Sequence, residues 1–193
     1  MPAALAALPG QRNLGTFARD KRGMDGPTLE TERLTLRQWR ADDLAPYAEL
    51  LADPAAARFI VPGGRPVTEP FAAWQHAALL AGHWALHGTG MFVVEDRATH
   101  RFLGRVGLWH PAGWFGPELA WAVVEHARGQ GIAFEAASAA LAWSFDALQV
   151  DALIHCIDDD NAPSQRLAAR LGATPGERID LFGRPARIWT SRR

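Results

Sequence analysis

The residues whose types and spacing point most directly to chemistry are Arg128-Gly129-Gln130-Gly131-Ile132-Ala133. They follow a strand-like run, Leu119-Ala120-Trp121-Ala122-Val123-Val124, and open a long alanine-rich helical pattern. A strand that ends in a glycine-bearing turn and feeds a helix is a place to hold phosphate. Glycine lets backbone approach a ligand closely, and the first helical turn presents free N–H groups at the positive end of the helix dipole. Gly129, Gln130, Gly131, Ile132 and Ala133 are the candidate backbone donors, and Arg128 adds a side-chain cation. The small Ala133 leaves room for close approach. The bland alternative is an ordinary tight turn beside a surface arginine.

A second segment lies about thirty residues on. Asn161-Ala162-Pro163-Ser164 opens a helix that Gly172 ends, with Leu167 and Leu171 one turn apart on its buried face. Asn161 reads as an N-cap. A cap uses one oxygen and leaves two amide donors for a ligand. Ser164 is a hydroxyl in the first turn, and Glu118 is a carboxylate at the start of the strand that precedes the glycine loop.

Composition limits the function classes. The 193 residues suit one domain with a short extension, and 48% hydrophobic against 21% charged residues reads as a soluble globular protein. With 20 basic and 21 acidic side chains the net charge is -1, so there is no basic field for nucleic acid. Cys156 is alone, which excludes a disulfide framework and a multi-cysteine metal site and suits the cytoplasm. No apolar run is long enough to span a bilayer. Residues 1–29 are rich in Ala, Gly, Pro and charge without a period, and are expected to be a flexible extension, with Met24 a candidate natural start. Residues 30–193 are expected to form the single domain.

The patterned part predicts its own elements. Arg33-Leu34-Thr35-Leu36-Arg37 alternates like a half-buried strand, and Asp42-Asp43-Leu44 opens a helix toward Ala52. Pro54 and Pro62-Gly63-Gly64 read as breaks, followed by a helix from Pro70 to His87. Strands are expected at Met91–Glu95, Phe102–Trp109 and Glu118–Val124 as an antiparallel meander, then a helix from Gly131 toward Ala147 and a strand at Ala152–Cys156. A hairpin, Arg178–Phe182 with Ala186–Trp189, closes the chain around Gly183-Arg184-Pro185. The result is an α+β fold, a mixed, mostly antiparallel sheet of about seven strands flanked by about four helices.

This order and these residues resemble the GNAT superfamily of N-acetyltransferases, over residues 30 to 192. Arg128, Gly131 and Ala133 match the defined positions of the family's Arg/Gln-x-x-Gly-x-Gly/Ala loop, which binds the pyrophosphate of acetyl-coenzyme A. Asn161, Ser164, Leu167 and Leu171-Gly172 match its Asn-x-x-Ser…Leu…Leu-Gly-Phe segment, with Ala173 in place of the aromatic. Glu32-Arg33-Leu34-Thr35-Leu36-Arg37 and Asp42-Asp43 are similar to the Rim-type branch, which acetylates N-terminal amines of ribosomal proteins.

The resemblance implies an N-acetyltransferase that moves the acetyl group of acetyl-CoA to a primary amine by direct attack in a ternary complex, with no metal. The acceptor would be a protein N-terminus or a small-molecule amine, and the protein a monomer or homodimer with no nucleic-acid or membrane partner. By family habit the pantetheine arm pairs with Ala122, Val123 and Val124 and bonds to Asn161, and the backbone N–H near Val123 or Val124 is the oxyanion donor. Glu118 is the implied general base, with Glu95, His110 and Glu125 as weaker candidates. Many relatives use a Tyr as the acid, but Tyr47 is the single tyrosine and lies in the first helix, so Ser164 takes that place, as a relay rather than a strong acid. Among eight tryptophans, Trp39, Trp74, Trp84, Trp109 and Trp114 fall on elements that wall the family's acceptor cleft, while Trp121, Trp143 and Trp189 read as packing.

Two other functions fit parts of the pattern. One is a non-catalytic CoA-binding member of the fold, made conceivable by the missing tyrosine. The other is a dinucleotide-binding oxidoreductase, disfavoured because Phe134 stands where a third glycine is needed and no βαβ repeat precedes the loop. His83 and His87 have metal-compatible spacing, but Trp84 replaces the glutamate of a zinc-protease motif. Asp158-Asp159-Asp160 lacks the glycine and final glutamate of a calcium loop. Cys156 reads as a buried strand residue rather than a nucleophile.

Overall fold

The computed structural model describes residues 26–193. The expected extension at 1–29 and Met24 therefore lie largely outside the described residues. The elements are β1 (Leu29–Glu30), β2 (Leu34–Arg37), α1 (Leu44–Ala52), α2 (Pro54–Ile60), α3 (Pro70–His87), β3 (Met91–Asp96), β4 (Phe102–Trp109), β5 (Glu118–Val123), α4 (Ile132–Leu148), β6 (Ala152–Asp158), α5 (Ala162–Arg170), β7 (Thr174–Asp180) and β8 (Pro185–Arg192). The described strands form one eight-stranded sheet in the order β1-β2-β3-β4-β5-β6-β8-β7. Every pairing is antiparallel except β5 with β6, which α4 connects. The short β1 is the strand beyond the seven expected.

The extra helix is α2. Pro54 does end α1, but it also occupies the first turn of a new helix, where its missing N–H costs nothing. Asp53 caps that helix by accepting the Ala55 N–H at 2.9 Å. Pro54 is thus a helix start as well as the break expected from the sequence.

Strand alternation divides the core between the two sheet faces. On one face Leu36, Phe92, Val106, Leu119 and Leu153 pack against Ala136, Ala137, Ala140 and Phe145 of α4. The alanines let that helix lie close to the sheet. On the other face Met91, Val93, Phe102 and Ala122 meet Tyr47, Leu50 and Leu51 of α1 and Ala73, Ala77 and Leu80 of α3.

A buried ion cluster fixes the start of the domain. Arg37 donates from Nη1 and Nη2 to Asp43, both at 2.8 Å, and from Nε to Glu95 at 2.6 Å. It thereby joins β2, the turn before α1, and β3. Burial pushes the Glu95 carboxyl up, but hydrogen bonds from His100 and Arg37 outweigh it and hold it below its ordinary range. Glu95 is a structural anion here, not a free base.

Candidate functional site

The glycine loop joins β5 to α4. Gly129 and Gly131 sit at φ 74° and 79°, a left-handed backbone that glycine adopts without strain. Gly131 is the N-cap of α4. The Arg128 N–H bonds to Glu125 O at 3.1 Å and the Glu135 N–H to Gly131 O at 3.0 Å. Between them, the amides of Gly129, Gln130, Gly131, Ile132 and Ala133 donate to no acceptor among the described residues. Five unpaired N–H groups at a helix N-terminus form an anion cradle.

Arg128 does not stand free above that cradle. Its Nη2 is paired with the Asp53 carboxylate and also reaches Val123 O at 3.4 Å. Since Asp53 caps α2, Arg128 ties α2 to the loop while still lining the groove. Arg33 comes to the same corner instead, donating to Gln130 O at 3.0 Å and to Glu135 at 2.7 Å. Gln130 folds its side-chain amide back onto His126 O.

A groove of about 730 Å³ runs from this loop along β5 to α5, with α2 as its far wall. Ala122, Val123, Arg128, Gly129, Gly131, Ile132, Ala133, Asn161 and Ser164 all line it, so the structure brings together most of the residues read as cofactor-binding. Gln130 and Val124 are not among the lining residues. The Val124 N–H is spent on Leu103 O at 3.0 Å, so it cannot serve as an oxyanion donor. Because successive amides point to opposite strand edges, Val123 N–H turns the other way, toward β6.

That direction matters because β5 and β6 splay apart. Their register contains one pair, Glu118 with Ile154. The Ile154 N–H reaches Pro117 O at 3.0 Å, but the next β6 donor, Cys156 N–H, meets the Glu118 side chain, Oε1 at 3.1 Å. The Glu118 carboxylate thus stands where the ladder would continue, the His155 ring bonds the Leu119 carbonyl at 2.7 Å, and the β5 edge beyond Leu119 is open to the groove. Glu118 Oε2 accepts the Trp114 indole N–H at 2.6 Å.

Glu118 is buried, not a solvent-facing strand residue: 6% of its surface is exposed. Burial raises its pKa to about 7, against the pull of the hydrogen bonds from Cys156 and Trp114 and of the Arg105 charge. A carboxylate poised near neutral pH is suited to general base work. Burial, with the adjacent Glu118 charge, pushes the Cys156 thiol far up, so the thiol stays protonated and is not a nucleophile.

Asn161 accepts the Ser164 N–H at 3.2 Å and caps α5. The Ser164 hydroxyl oxygen accepts the Trp121 indole N–H at 3.2 Å, which leaves its proton free to point into the groove. Trp121 packs against the core as expected and also lines the groove beside Ala122. The sequence signal for it is its place among Ala120, Ala122 and Val123 on the strand that feeds the glycine loop.

The five tryptophans assigned to the acceptor wall divide. Trp109 and Trp114 stack edge to face at 6.5 Å, and Trp114 meets Phe182 of the β7–β8 turn at 5.8 Å, so both border Glu118. Trp39 is half-buried and packs on Tyr47. Trp84 departs from the expectation: it is 7% exposed and packed into the core against Phe92 and Trp143. Trp74 is 52% exposed and stacks on Phe71 at the start of α3.

The remaining candidate clusters have structural partners. His83 accepts the His110 N–H at Nε2 and bonds Thr89 O through Nδ1, so both ring nitrogens are engaged. The three aspartates pair with Arg184, Arg178 and Arg58. Glu125 sits in the short helical turn after β5, and its side chain accepts no hydrogen bond among the described residues. No described helix is long and apolar enough to cross a membrane.

Comparison with known proteins converges on one family. The family model described as an acetyltransferase (GNAT) domain matches residues 33–174. An acetyltransferase from Agrobacterium tumefaciens str. C58 is 27% identical, with 95% of this chain and 100% of that chain covered and a TM-score of 0.75. Two more distant structures share the fold. RimJ of Mycobacterium smegmatis, in complex with CoA-disulfide, is 18% identical, with 82% of this chain and 81% of that chain covered at TM-score 0.67. A ribosomal-protein-S5-alanine acetyltransferase from Vibrio fischeri is 16% identical, with 86% and 96% covered at TM-score 0.64. The matched span contains the glycine loop, the splayed strands with Glu118, and the Asn161–Ser164 turn, and the protein accordingly belongs to the GNAT family of acetyltransferases.

Proposed function

We propose that this enzyme binds acetyl-CoA in the groove between the glycine loop, β5 and α5, and transfers its acetyl group to a primary amine that attacks directly in a ternary complex. The observation that carries this reading is the run of five unpaired amides continuous with an open β5 edge. The fold relative RimJ holds a CoA-disulfide. Acetyl-CoA supplies the activated acyl group as a thioester.

The chain's own residues divide the work. Loop amides grip the diphosphate, and the free edge of β5 pairs with the amide-rich arm. Val123 N–H faces the developing oxyanion. Glu118 takes the proton released by the amine, directly or through water, and its raised pKa places that transfer near pH 7. Ser164, with its oxygen held by Trp121, directs its hydroxyl toward the departing sulfur. The Asn161 amide keeps two donors for the arm after capping α5.

Thermal shift with acetyl-CoA against NAD tests the binding, and thiol release with a panel of amines tests the transfer. Stabilisation by NAD alone would overturn the reading. Stabilisation by acetyl-CoA with no turnover of any amine would favour a binding protein without catalysis.

A further inference from the structure

Arg105, at the middle of β4, is a buried charge with no ion-pair partner among the described residues. Only 6% of its surface is exposed. Among the described residues its Nε has no hydrogen-bond partner and its Nη1 reaches the Met91 sulfur at 3.4 Å, a weak acceptor, while the neutral Tyr47 hydroxyl also touches its side chain. Arg37, buried to the same degree in the same sheet, has two such partners. A desolvated guanidinium without a counter-charge is costly, and such a group persists where an anion arrives from elsewhere.

Register locates what it faces. Arg105 lies opposite Ala122, Gly107 opposite Ala120, and Trp109 opposite Glu118. Alternation puts these six residues on one face of the sheet. Gly107, Ala120 and Ala122 make a floor of small residues with Arg105 at one end and Glu118 at the other; Ala120 keeps partial exposure, whereas Gly107 and Ala122 are buried. The rows are four residues apart, about 13 Å along the strand, a span for a small molecule. Met91 lies opposite Gly107, so its contact draws the guanidinium toward the middle of the floor.

None of the other described polar groups on this side forms an ion pair with Arg105. Tyr47 of α1 bonds His76 of α3 at 2.8 Å. Burial, reinforced by the Arg105 charge, lowers the His76 pKa to about 4, so the imidazole is neutral. Burial raises the Tyr47 pKa against the opposing pull of Arg105, so the phenol keeps its proton. Glu118 feels the Arg105 charge from the far end of the floor but has both oxygens held by Cys156 and Trp114.

We propose that Arg105 receives a carboxylate of the acceptor, so that the preferred substrates are amines bearing a nearby carboxylate, of the amino-acid class, rather than peptide N-termini, whose first carbonyl is an uncharged amide. This rests on the acetyl-CoA-dependent transfer proposed above. Free L-amino acids and their α-carboxamides, together with a short peptide series, are compared as acceptors by CoA thiol release. The free acid of at least one pair is expected to exceed its amide by about tenfold or more in kcat/KM, the worth of one charge-assisted contact. Arg105→Met is expected to abolish that gap and leave KM for acetyl-CoA unchanged. If it fails to fold, the acid–amide comparison on the unaltered enzyme still decides. Amides or peptides used as well as the acids, or a gap that survives Arg105→Met, overturn the proposal. Stabilisation by acetyl-CoA with no release from any acid also overturns it while leaving cosubstrate binding intact. Absence of acetyl-CoA stabilisation instead removes the reading beneath it.

Discussion

The Cys156 N–H donates to Glu118 Oε1 at 3.1 Å, at the point where β5 and β6 cease to pair. One side chain therefore closes the parallel ladder and occupies the start of the opened gap. The same contact that ends the sheet accompanies a burial that brings the carboxyl pKa to about 7.

Replacing this carboxylate tests its chemical role. Glu118→Gln keeps an acceptor for Cys156 and removes the base. Turnover is expected to fall by about 10²-fold or more, with acetyl-CoA stabilisation retained. The unaltered enzyme is expected to lose kcat/KM below an apparent pKa of about 7. A rate profile that stays flat from about pH 5 to about pH 8, the interval in which a group of this pKa changes charge, would remove Glu118 from the mechanism.

The same group predicts a stability signature. A carboxyl whose folded pKa is raised makes the native state hold more protons than the unfolded chain between the two pKa values. Its contribution is full below the ordinary value of 4.5 and is lost as pH rises to about 7. The loss amounts to roughly 3 kcal/mol. Melting curves of the enzyme and Glu118→Gln are expected to diverge across that window in favour of the variant, and parallel curves would contradict the burial argument.

Trp114→Phe removes the indole donor to Glu118 Oε2 while keeping an aromatic ring against Phe182. That hydrogen bond lowers the Glu118 pKa. Its loss is expected to move the acid limb of the rate profile to higher pH, with KM for acetyl-CoA unchanged. An unmoved limb would show that Trp114 orients nothing.

Arg128 and Asp53 are expected to act as one unit, because their pairing joins α2 to the glycine loop. Arg128→Ala, Asp53→Ala and the double variant are each expected to weaken acetyl-CoA binding, with the double no worse than the worse single. Additive losses in calorimetric Kd would show that Arg128 contacts the cosubstrate independently of Asp53.

Arg37→Met leaves Asp43 buried without its cation and Glu95 with only the exposed Arg40 and His100. Breaking such a cluster costs about 3–5 kcal/mol, so Tm is expected to fall by about 10 °C. A change within scan error would mean that the cluster sits at break-even with an apolar side chain.

Local chemistry wrote much of this protein into its chain. The alternation of Leu34 and Leu36, the helix from Pro70 to His87, and the cap formed by Asn161 each depend on neighbours a few residues away, and each appears where the pattern predicts. The glycine loop is of this kind, since positive φ at Gly129 and Gly131 is a property of the residues themselves. Other features depend on groups far apart in the chain. Arg128 meets Asp53 from 75 residues away, Glu118 meets Cys156 from 38, and Trp121 meets Ser164 from 43. Periodicity says which face a side chain takes, but not which distant group waits there or whether water reaches it. For that reason Glu118 could be named from its place on the strand while its burial could not. By the same logic Trp84 became core, Trp121 came to line the groove as well as pack, and the unpaired charge of Arg105 among the described residues emerged only when three strands and two helices closed around it.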